Sequence, residues 1–177
     1  MEKTKQLIYT SLLVAMALAL HLVERSIPVP FMTPGAKLGL ANLVTVIAIY
    51  TLDKKRDVLK IIIARLFLSA IFGGSVSSLM YGSMGALLSF SVMIGIKELL
   101  KDKVSIIGVS AAGAVFHNIG QLLVASLIVQ NIGVMLYLPF LSIAGIMTGI
   151  FVGLAANYTV AHMYQLPFFK QMVEREE

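Results

Sequence analysis

Residues 104–169 read VSIIGVSAAG AVFHNIGQLL VASLIVQNIG VMLYLPFLSI AGIMTGIFVG LAANYTVAHM YQLPFF, without a single Asp, Glu, Lys or Arg. A helix that crosses a bilayer takes about 20 mainly apolar residues, so this stretch is too long for one crossing and right for two. Gln130-Asn131-Ile132-Gly133 supplies the turn between them. The same rule applied toward the N-terminus gives four more spans. The six expected spans are 6–23, 38–52, 58–72, 79–96, 104–129 and 134–163. The fold expected is therefore an all-α membrane protein of six transmembrane helices, in one integral membrane domain over 1–177.

Composition points the same way. The chain of 177 residues is 58% hydrophobic and 13% charged, against about 25% charged in soluble domains, and its mean hydropathy is +0.90. A soluble fold has too few polar groups here to cover its apolar surface, whereas lipid removes the need. The net charge of +5 does not imply nucleic acid, because the basic residues sit in short clusters between apolar runs. With the N-terminus inside, Lys3, Lys5, Lys54, Lys55, Arg56, Lys60, Lys97, Lys101, Lys103, Lys170 and Arg175 fall on one side, and only Arg25 and Lys37 on the other. The positive-inside rule then makes both termini cytoplasmic in a multi-pass protein of the cytoplasmic membrane. Ala15-Met16-Ala17 has the small-residue pattern of a signal-peptidase site, but hydrophobicity continues through Leu18-Ala19-Leu20, so an uncleaved first span is expected. No internal repeat, low-complexity segment or linker to a second domain stands out.

Absent chemistry narrows the function. There is no cysteine, hence no disulfide and no thiolate nucleophile or ligand. All nine carboxylates lie at span ends or in tails, so no mid-membrane acid is placed to couple transport to an ion gradient. No Asp-rich cluster is available to hold the divalent metals that ionise a diphosphate. No acid is placed to orient His117 in a Ser/His/Asp site. Glycine motifs that cradle phosphates or dinucleotides are missing too. Neither an enzyme nor a bound cofactor or metal is expected.

Neutral polar and cationic groups remain. His117, Asn118 and Gln121 share the fifth span, and their helical spacing turns them in similar directions, into the bundle. They form either an interhelical hydrogen-bond network or part of a substrate-binding pocket, which Asn42 and Lys37 would join. Lys37 is more simply read as a snorkelling interfacial lysine, and Arg65 as a structural residue that snorkels or meets helix carbonyls. His21, Glu24 and Arg25 fall within one turn and suggest a local ion-pair cluster. The segment after span one carries Pro28, Pro30, Phe31, Met32 and Pro34, long and apolar for a connector, and is the candidate gate loop. Gly145, Gly149 and Gly153 mark one face of the last span for close helix packing within the chain; Ala15 and Ala19 repeat the spacing on the first.

Pro34-Gly-Ala-Lys-Leu-Gly-Leu-Ala-Asn42, followed by Leu43-Val44-Thr45, resembles the signature of the Gx transporter family, also labelled heptaprenyl diphosphate synthase component I. Phe116-His-Asn-Ile-Gly-Gln121 is similar to its second block, and the resemblance runs from Met1 to Gln165. That family is in turn similar to the S components of energy-coupling factor (ECF) transporters. The resemblance implies an S-component-like bundle that binds a vitamin-like or isoprenoid-related solute near the outer face and is gated by the loop after helix 1. It also implies docking through Ala15 and Ala19 to a transmembrane T subunit, with two cytoplasmic ATPases supplying energy. The other label implies a non-catalytic membrane partner of a heptaprenyl diphosphate synthase.

Overall fold

The computed structural model describes residues 3–26, 39–72 and 76–166. Among them every regular element is helical: α1 (Lys3–Ser26), α2 (Asn42–Thr51), α3 (Lys55–Ile71), α4 (Val76–Leu100), α5 (Ile106–Val129) and α6 (Leu138–Met163). Short 3₁₀ segments at Lys101–Lys103 and Ile132–Tyr137 precede α5 and α6. The chain is a helical-bundle membrane protein. Four stretches, Thr4–Glu24, Leu79–Lys103, Ile106–Val129 and Ile132–Met163, are long and apolar enough to cross a bilayer.

The other two helices differ for physical reasons. α2 has ten residues, about 15 Å at 1.5 Å per residue, against roughly 30 Å of hydrocarbon. It is nonetheless sheathed on all sides: Val44, Val46, Ile47 and Ala48 are each at most 2% exposed. A helix apolar all round belongs in an interior. α3 opens on Lys55-Arg56-Asp57 and carries Lys60 and Arg65, too many charges for an uninterrupted apolar span.

Local chemistry sets the helix ends. The Ser105 hydroxyl caps α5 by accepting from the Gly108 amide at 3.2 Å. Gln130 closes α5 in the left-handed region at φ 52°, and the Asn131 side chain then accepts from the Gly133 amide at 2.8 Å. The expected turn is there. α6 starts at Leu138 rather than 134, because Pro139 lacks an N–H and its ring crowds the carbonyl four residues back.

α5 runs through the centre of the bundle between α4 and α6. Glycines permit the approach. A methyl on Gly149 would meet the Ala111 Cα at 2.6 Å, one on Gly153 the Ile107 Cα at 2.6 Å, and one on Gly145 the Asn118 amide at 2.8 Å. The glycine face of the last helix is thus used inside the chain. On the other flank Gly120 lies against Gly85, whose missing side chain leaves room for the His117 ring.

One end of the bundle is laced by polar contacts. Tyr9 and Thr51 hydroxyls meet at 2.8 Å, Lys97 Nζ donates to the Ile49 carbonyl at 2.7 Å and sits 4.4 Å from the Tyr50 ring centre. Lys55 pairs with Glu98, and the Tyr164 hydroxyl donates to the Tyr50 carbonyl. The start of α1, end of α2, start of α3 and ends of α4 and α6 therefore lie together, bringing the basic clusters to a common end.

Candidate polar cavity between the helices

Two buried stripes build the site. On α1, Leu13, Ala17, His21 and Glu24 are all at most 8% exposed; their spacing of four, four and three is one helical face. On α3, Val58, Ile62, Arg65 and Ser69 repeat the pattern. Each stripe starts apolar near the basic end and turns polar toward the other. The polar ends converge on a cavity lined by His21, Glu24, Gly39, Asn42, Arg65, Ser69, Gly82, His117 and Gln121, drawn from α1 to α5.

Glu24 accepts a hydrogen bond from the Gly39 amide. Gly39 takes φ +81°, a conformation suited to glycine, and that turn aims its N–H at the carboxylate. Arg65 is 5% exposed and within electrostatic reach of Glu24. Its Nε finds no hydrogen-bond partner among the described residues. An unmade bond on a buried polar atom costs about 1–3 kcal/mol, so Arg65 keeps an unmet donor at the cavity wall. The enclosed space is about 20 Å³, close to one water-sized sphere.

Of the residues singled out from sequence, Asn42, His117 and Gln121 come together here. Asn118 is buried next door but is engaged elsewhere: its amide donates to the Leu141 carbonyl at 2.8 Å. Lys37, Pro30, Phe31, Met32 and Pro34 lie outside the described residues. Ala15 and Ala19 are exposed on the outer face of α1, in line with Ser11. The sequence reading assigns His21 and Glu24 to a local ion-pair cluster and Arg65 to a structural role, not to the pocket; all three are buried and line the cavity. In the fold, 21 and 24 prolong the buried Leu13–Ala17 face, as 65 prolongs the Val58–Ile62 face.

Among the described residues no group of three or more His, Asp or Glu side chains converges to hold a metal ion. The cavity offers hydrogen-bond donors and acceptors and two opposite charges that act on each other across it.

No curated protein and no solved structure matches the chain. The sequence model described as heptaprenyl diphosphate synthase component I matches residues 13–159, a span that holds every residue lining the cavity. The chain belongs to the heptaprenyl diphosphate synthase component I family.

Proposed function

We propose that this family member is a solute-binding membrane subunit, S-component-like in operation, whose site is the cavity around Arg65, Glu24, His117, Gln121 and Asn42. The observation that carries the reading is the buried Arg65 with an unsatisfied Nε, within electrostatic reach of Glu24, in a mainly apolar bundle. Ionisable groups at membrane depth are costly and mark ligand or transport sites. The solute is vitamin-like or isoprenoid-related, and partner ATPases energise its uptake. A ligand of that size needs roughly 300 Å³, so it enters when the helices part. α1 is the element to move: it packs chiefly on α3 and α2, and its outward Ala15 and Ala19 suit docking to a transmembrane T subunit. With both termini cytoplasmic, the cavity, at the end away from the basic clusters, lies in the outer half.

Native mass spectrometry of the detergent-purified protein tests this, with identification of anything released on denaturation. A small molecule lost from Gln121→Ala supports solute binding; an empty wild-type protein across growth conditions counts against it.

A second reading rests on the family's name: a non-catalytic membrane partner of a soluble heptaprenyl diphosphate synthase subunit. It predicts that such a subunit co-purifies with the chain, whether or not the cavity is filled.

A further inference from the structure

A separate groove opens at the basic end of the bundle, between the starts of α1 and α3. It measures about 410 Å³ and is lined by Gln6, Leu7, Thr10, Lys54, Arg56, Asp57 and Lys60. Three cations face one acid there, and the acid is already engaged. Gln6 donates its amide to one Asp57 oxygen, and Lys60 Nζ donates to the other at 2.7 Å. Lys54 and Arg56 are exposed and make no ion pair among the described residues. The groove is left with a net positive charge.

What lies beyond the cations decides the kind of anion. On α3 the spacing Arg56, Lys60, Ile63, Phe67 and Ile71 follows one helical face. Ile63 is 44%, Phe67 64% and Ile71 73% exposed. From Lys60 to Ile71 the face runs about 16 Å along the axis at 1.5 Å per residue. Leu7 and Ile8 on α1 are likewise exposed, at 68% and 64%. A charged groove that passes into an exposed apolar stripe is shaped for an amphiphile, head group among the cations and acyl chain along the helix. A soluble anion would use the first part and leave the second idle.

We infer that this groove holds the phosphate head group of an anionic membrane lipid, with a tail lying along Ile63 and Phe67. Lys54 and Arg56 supply the charge that distinguishes an anionic from a zwitterionic lipid, since basic residues near an anionic surface are attracted to it. Asp57 holds Lys60 and Gln6 in place at the groove wall. The site is independent of the polar cavity, which lies at the other ends of α1 and α3.

The test is native mass spectrometry of the full chain in detergent, titrated with phosphatidylglycerol and, separately, phosphatidylcholine of the same acyl chains. The wild type is expected to retain phosphatidylglycerol at about tenfold lower concentration than phosphatidylcholine. Lys54→Gln with Arg56→Gln should abolish that preference, while Lys101→Gln with Lys103→Gln, exposed charges outside the groove, keeps it. All four positions are exposed, so an unchanged thermal midpoint verifies folding. Equal retention of both lipids by the wild type overturns the proposal, as does a preference that survives in the Lys54/Arg56 variant. Full displacement of phosphatidylglycerol by inorganic pyrophosphate would assign the groove to a soluble anion and overturn it as well.

Discussion

The Asn118 side-chain amide donates to the Leu141 carbonyl at 2.8 Å, joining the middle of α5 to the first turn of α6. His117, one residue earlier, and Gln121, one turn later, face the polar cavity instead. Neighbouring residues thus divide the work between holding helices together and lining a site.

Asn118→Ala removes a helix-to-helix bond. Its loss should lower stability by about 0.6–2 kcal/mol, the range for such bonds in membranes. The thermal midpoint in detergent should fall, whereas occupancy of the cavity, measured below that midpoint, should stay as in the wild type. Gln121→Ala should show the reverse balance, with weaker solute retention and a smaller thermal effect.

The α5–α6 seam makes a sharper stability prediction. Gly149→Ala puts a methyl 2.6 Å from the Ala111 Cα, which is backbone and cannot swing aside. Overpacking of this kind costs about 1–3 kcal/mol. Gly95→Ala, with nothing within 4 Å of its new methyl, should be neutral or stabilising by up to about 1 kcal/mol. Thermal midpoints of the two variants, made side by side, check the pair.

Much of the fold can be read from residues because lipid imposes long apolar runs, and the turn at Gln130–Gly133 has its own chemistry. The cavity is harder to read for a related reason. In a membrane bundle both the buried and the lipid-facing sides of a helix are apolar, so periodicity does not name the inward face. His117 and Gln121 stand out as polar residues within an apolar run. His21 and Glu24 do not, because they lie near a span end where charged residues are ordinary, and Arg65, though inside its span, is as readily read as a side chain that snorkels or meets helix carbonyls. Only the packing of α1 on α3 turns them toward one another.

Arg65 and Glu24 should therefore be coupled. Arg65→Met keeps the side chain's bulk but removes the cation acting on Glu24, at a cost on the order of 1–3 kcal/mol, less than for a contacting buried pair. Adding Glu24→Gln should cost less than the sum of the two single changes, with a coupling of at least about 0.5 kcal/mol. A double-mutant cycle on thermal midpoints measures it. Additive effects would mean that the two groups do not sense each other.

The central claim, a solute cavity opening to the outer side, is tested most directly with a single cysteine at Gly82. The chain has no cysteine of its own, and a Cβ at Gly82 would meet only the Leu66 side chain at an ordinary 3.6 Å. In intact cells Gly82→Cys should react with a membrane-impermeant maleimide added outside. In the purified protein, the small-molecule fraction released from denatured wild type should slow that reaction. Labelling confined to the cytoplasmic side, or a rate indifferent to that fraction, would contradict the account.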